Sequence, residues 1–240
     1  MLHTGALVLA LALSPSSYRR GYRAGLARHV YQGTAPLLPW FTVLVAVASL
    51  VVIRIVVVTA SSYGLSQYAL EMVVRVLVLE LIPLTAALFV AVRCTLPGGV
   101  ELAALRGQGA FEAQRQSGLD PLVTEVVPRV VAGLFAVVTL AAVSCVVSLV
   151  LAYLVVHGFT LAAFEAYTRK VGQVFNPAVS LIFALKTGAF SAAVSLIPAV
   201  SSLYDPPPHK AQALPELQGL VRMFLLILLI EVASLLGNYY

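Results

Sequence analysis

Leu79-Glu80-Leu81-Ile82-Pro83 opens a stretch that closes at Pro128-Arg129, and the reading of residues 79–129 decides the fold. It begins inside a long apolar run and carries a carboxylate, Glu80, where charge is costly. It then runs to Arg93, turns polar (Glu101, Arg106, Glu112, Arg115), stops at Gly118-Leu119-Asp120-Pro121 and becomes apolar again after Arg129. A helix that enters a membrane, leaves it, forms a short polar helix outside and re-enters gives this order. Pro83 weakens the helix and frees a backbone carbonyl one turn earlier.

Composition requires the membrane. The chain has 240 residues, 60% hydrophobic and only 10% charged, with mean hydropathy +0.97, whereas soluble domains carry about 25% charged residues. A span needs about 20 mostly apolar residues, which leaves room for five or six. The pattern predicts an all-α integral membrane protein with one membrane domain over 1–240. Its parts are an interfacial N-terminal segment (1–35), spans at 36–60, 68–92, 126–156, 178–203 and 217–236, and a short cytoplasmic helix at 99–117 between the second and third spans.

The N-terminal apolar run to Leu13 is too short to span and has its arginines after it, unlike a signal peptide. It is expected in the interface, as an anchor or as part of an elbow helix. Arg19, Arg20, Arg23 and Arg28 alternate with Tyr18, Tyr22 and Tyr31. Beside a span this reads as a membrane-surface helix, not a nucleic-acid patch, and the net charge of +5 sits at segment ends as topology requires. The Lys/Arg bias predicts a cytoplasmic N-terminus and a periplasmic C-terminus. Arg93, Arg106, Arg115, Arg129, Lys210 and Arg222 fall inside with the N-terminal arginines, and Arg169 and Lys170 outside.

Arg54 interrupts the first span toward its outer end, where it snorkels or faces a wet cavity. Glu71 and Arg75 share a helical face near the outer end of the second span. Pro97-Gly98-Gly99 is expected to break that helix. Leu102, Leu105 and Phe111 are apolar contacts of the helix that follows, and Gly107 and Gly109 weaken its middle. His157 ends the third span as an interfacial residue; no second His or Cys lies near it. Leu161 to Arg169 is amphipathic. Lys186 interrupts the fourth span. Asp205-Pro206-Pro207-Pro208 makes a stiff loop, and the fifth span holds Arg222 and, toward its outer end, Glu231. Cys94 and Cys145 lack metal or disulfide spacing. No Walker A pattern occurs, so any ATP is bound by a partner, and no cofactor or metal is expected.

Taken together the motifs resemble the MlaE/YrbE family, permease subunits of ABC systems that move lipid with MCE-domain proteins. Arg28-His29-Val30-Tyr31-Gln32-Gly33 resembles the family's segment before the first span. Glu80-Leu81-Ile82-Pro83 is similar to its Arg-Glu-Leu-Gly-Pro, and Ala91-Val92-Arg93 to its Ala-Gly-Arg. Glu101-Leu102, Asp120-Pro121, Pro128-Arg129 and Lys186-Thr187-Gly188-Ala189-Phe190 follow in the family's order. The departures are Leu79 in place of Arg, Gly109-Ala110 in place of Glu-Gln, Val179 near a frequent Asp, and an inner loop without the glycine-rich and Thr-Thr pattern.

The resemblance implies a homodimeric permease in the bacterial inner membrane, a separate cytoplasmic ABC ATPase, a periplasmic MCE protein and a lipid, of the phospholipid class, as cargo. It implies a transport subunit rather than an enzyme. The path residues would be Trp40, Phe41, Leu44, Val47, Glu80 and Lys186. Glu101, Leu102, Leu105, Arg106, Phe111, Glu112 and Arg115 would couple to the ATPase. Glu80 and Lys186 have two open readings: a polar feature beside the lipid path, or a pair that locks the second and fourth spans together. Two other functions stand beside transport. One is a non-transporting assembly subunit. The other, an intramembrane lipid-modifying enzyme, is disfavoured because no D-x-x-D or H-x-x-x-D cluster occurs.

Overall fold

The computed structural model describes residues 2–13, 20–118, 120–204 and 214–239. Arg19, Tyr18 and the proline-rich loop lie outside the described residues. All regular structure among the described residues is helical. Five helical stretches are long and apolar enough to cross a bilayer: Gly25–Ser62, Ser66–Gly107, Leu122–His157, Pro177–Leu203 and Gly219–Gly237. This is the expected all-α membrane architecture.

The helices are α1 (Leu2–Leu13), α2 (Arg20–Thr34), α3 (Leu37–Ser62), α4 (Ala69–Val73), α5 (Ile82–Val90), α6 (Leu96–Gly107), α7 (Ala110–Gln116), α8 (Val127–His157), α9 (Phe164–Val174), α10 (Pro177–Tyr204) and α11 (Leu214–Tyr239). Consecutive spans run in opposite directions. One end of the bundle therefore gathers α2, α6, α7 and the start of α8, and is basic. The other gathers the α3–α4 turn and α9.

Between Ser66 and Gly107 the chain is one helical rod. Its α-helical pieces are joined by wider π turns at Val74–Leu81 and Ala91–Thr95. Each π turn precedes a proline by a residue or two, and the wider turn accommodates a proline that would otherwise clash with the preceding carbonyl. Pro97-Gly98-Gly99 therefore does not break the helix, contrary to expectation. Pro97 sits in the first turn of α6, where a missing N–H is tolerated. Gly99 is there for proximity: a Cβ on it would come within 3.1 Å of the Pro198 carbonyl of α10.

This rod is the hub, with 61% of its most apolar window buried against 22% for the first span. Its inward face (Val73, Val74, Leu77, Val78, Ile82, Ala86, Val90) meets Phe41, Val45 and Ile53 of α3, Ala136 and Leu140 of α8, and Phe190 and Val194 of α10. In a bilayer, close fit between helices replaces the hydrophobic drive, and small residues permit it. Gly133 is the tightest case: a Cβ there would lie 2.5 Å from Ser195 Oγ and 2.9 Å from Thr95 Cγ2. Ser49 and Ser148, both fully buried, share a 2.7 Å hydrogen bond that joins α3 to α8.

Shorter elements close the two ends. Val8 and Ala12 of α1 are buried, so α1 docks on the bundle through one face. At the opposite end α9 packs by Tyr167, whose hydroxyl donates to the Leu149 carbonyl at 2.7 Å. Burial pushes the Tyr167 phenol up to about 12. His157 lies among Tyr153 and Tyr167 rings, at 5.6 and 6.1 Å, as an interfacial packing residue.

Candidate functional site: a buried charge cluster and the coupling segment

Lys186 of α10 reaches the π turn just before Pro83, with Nζ donating to Leu79 O at 3.4 Å. The same ammonium donates to Glu80 Oε2, and Glu231 Oε2 of α11 stands 2.9 Å from it. An ammonium has three protons; Leu79 O and Glu80 Oε2 accept from this one, and Glu231 Oε2 stands in ion-pair range. Cys145 Sγ points at the neighbouring Val78 carbonyl, 3.9 Å away. The Lys186 side chain is 1% exposed, and those of Glu80 and Glu231 are 12% and 18% exposed.

Two carboxylates thus converge on one cation, tying the second, fourth and fifth spans at one depth. With all three groups ionised the cluster carries a net negative charge. Charges are expensive in the bilayer, and mutual pairing is what makes them tolerable. Lys186 lies about 14 Å of helix from Pro177, at about 1.5 Å per residue, well inside the apolar slab. Of the two readings of Glu80 and Lys186, the ion pair between the second and fourth spans is present. The sequence places Glu231 only toward the outer end of its span. The signal for its part was an isolated carboxylate in an apolar run, a functional flag by itself.

The path residues of α3 divide. Trp40, Leu44 and Val47 are exposed, with Val43, Val51, Ile55 and Val58 continuing the same apolar face. Phe41 instead points inward, is 1% exposed and stacks on Phe89 with centroids 4.9 Å apart. Arg54 is exposed on α3.

The coupling segment forms two helices, α6 and α7, with Gly109 at φ 74° between them. That left-handed turn needs glycine at little cost. Leu102 and Phe111 are buried in a small second core with Val8, Val126, Val130 and Ala199, and Leu105 packs on its rim. Arg106 is half-buried and donates to the Ser202 carbonyl at the end of α10, 3.0 Å away. Glu101, Glu112 and Arg115 are exposed. The re-entry is knotted by polar contacts. Asp120 accepts from the Leu122 N–H at 3.0 Å, and Arg129 pairs with Glu125 at 2.5 Å and more loosely with Glu101 at 3.8 Å. Glu125 was not singled out from sequence; its spacing of four before Arg129 was the available signal.

No set of three His, Cys, Asp or Glu among the described residues could hold a metal. Glu71 and Arg75 pair at 3.0 Å near the opposite end. Comparison with the curated proteins gives no match. The family described as Permease MlaE matches residues 26–236, which takes in α3 through the cluster residue Glu231 and the whole coupling segment. The chain belongs to the MlaE permease family, membrane permease subunits of lipid-transport systems.

Proposed function

We infer that this chain is the permease subunit of an ABC-type lipid transporter, working as a homodimer with a separate ATPase at its basic end and an MCE protein at the other. The supporting observation is the single helical rod from Ser66 to Gly107. It carries Glu80 of the buried cluster at one level and Glu101 and Arg106 of the coupling segment at another. A push on α6 and α7 moves the rod as a unit, because Leu102, Phe111 and Arg106 bind the segment to α8 and α10. The exposed apolar face of α3 supplies a surface for acyl chains or a second copy. The Lys/Arg bias supports a cytoplasmic place for the basic end, and membership of the permease family supports the bacterial inner membrane as its location. The cargo would be a phospholipid.

The test is co-purification with the ATPase, followed by hydrolysis with and without this chain. Coupling predicts stimulated hydrolysis, and an Arg115→Glu/Glu112→Lys change on the exposed face of α7 should remove most of it without unfolding the chain. Stable association with no change in hydrolysis would instead assign an assembly role.

A further inference from the structure

At the basic end, a cleft of about 500 Å³ opens between α2, the start of α3, the turn into α6, α8 and α10. Small-molecule sites typically enclose about 300–1,000 Å³. Three basic side chains face it, His29, Arg93 and Arg129, with Glu101 at its edge. Arg129 is already engaged by Glu125. Arg93 is exposed and has no ion-pair partner among the described residues. Ser195 also lines the cleft. It is only 2% exposed, and its hydroxyl has no hydrogen-bond partner. A buried hydroxyl without a partner costs stability, and a ligand oxygen reaching down the cleft would relieve it.

We propose that this cleft binds the phosphodiester of a phospholipid headgroup, with Arg93 as its main cation and Ser195 as a neutral donor. The phosphate belongs to a lipid, not to a free ion, because the cleft opens onto the apolar face of α3. Trp40 lines the cleft and is 76% exposed, and Leu44 and Val47 continue from it along the helix toward the bilayer centre. A lipid seated this way has its headgroup beside α6 and its chains on α3. Glu101, on the opposite edge, would receive the amine of a zwitterionic headgroup. The inference rests on the lipid-permease reading and adds where the cargo's polar end sits before transport.

Native mass spectrometry of the full chain in detergent, titrated with phosphatidylethanolamine, tests this directly. Diacylglycerol of the same acyl chains and inorganic phosphate serve as separate probes. The phospholipid should be retained, diacylglycerol at least about tenfold less, and inorganic phosphate should compete weakly. Arg93→Gln should weaken retention about tenfold, since charge-assisted hydrogen bonds contribute most. Arg93→Lys should recover part of it, and Ser195→Ala should cost a few-fold. Arg169→Gln, on the opposite surface, should change nothing. Equal binding of diacylglycerol, wild-type retention by Arg93→Gln, or displacement by millimolar phosphate alone would overturn the proposal. Lipid transfer by the reconstituted complex separates the two readings. Wild-type transfer with Arg93→Gln at full rate refutes the headgroup cleft and leaves the permease intact. Phospholipid retention that depends on Arg93, in a complex that never transfers lipid, refutes the permease reading alone.

Discussion

The molecule holds two clusters of opposite charges, and they are built differently. In the membrane, Glu80, Lys186 and Glu231 come from three spans, and both carboxylates stand against one ammonium whose side chain is 1% exposed. At the basic end, Arg129 and Glu125 are one helical turn apart and Glu101 comes from α6, its side chain 69% exposed. Burial makes the first cluster a fixed lock, since removing Lys186 strands two carboxylates in low dielectric. Exposure of Glu101 makes its contact with Arg129 adjustable, since water can replace it at small cost. Under the proposed transport function, the first would serve as a fixed reference inside the bilayer and the second as a compliant joint beside the coupling segment.

The sharpest way to break this contrast is Lys186→Met, which leaves two carboxylates facing one another. Breaking a buried pair costs about 3–5 kcal/mol, so the thermal midpoint in detergent should fall far, and transport should be lost. Glu80→Gln should cost less, and Lys186→Met/Glu80→Gln less than the sum. Strictly additive losses would show that the groups do not act as a unit. Next in size is Gly133→Ala, where overpacking costs about 1–3 kcal/mol. Adding Ser195→Ala should recover part of that loss, because the clash is with Ser195 Oγ. Glu101→Gln at the joint should cost no more than about 1 kcal/mol of stability, with salt reducing the difference.

Alkaline titration probes the far end. The ordinary tyrosine value is about 10, and Tyr167 is raised to about 12 by burial. The unfolded chain therefore ionises first. Its contribution is intact below pH 10 and lost as pH rises toward 12. Tyr167→Phe should remove that part of the alkaline loss, measured by the midpoint at pH 9 and pH 11. The smallest effect expected is Ser49→Ala, about 0.6 kcal/mol for an interhelical hydrogen bond in a membrane.

The spans were legible in the sequence because 20-residue apolar runs admit few alternatives. Their connections were less so. Pro97-Gly98-Gly99 contains strong helix breakers, yet the π turn at Ala91–Thr95 and the approach of Pro198 make the helix continue. Local propensity could not foresee a tertiary contact that uses the glycine. The Glu80–Lys186 pair was legible from the rarity of intramembrane charge. Glu231 as its third member was not, because only the packing of α11 beside α10 decides which carboxylate reaches the lysine. Phe41 shows the same limit: an apolar run reveals neither which side faces the core nor which faces lipid, and the 4.9 Å stack on Phe89 settles it.

The most direct measurement is ATP-driven lipid transfer from proteoliposomes that contain this chain with its ATPase, compared with Lys186→Met in an equally assembled complex. The account predicts transfer that requires ATP and falls at least about tenfold in the variant, equivalent to about 1.4 kcal/mol. No ATP-dependent transfer by the wild type, or equal transfer by the variant, would contradict it.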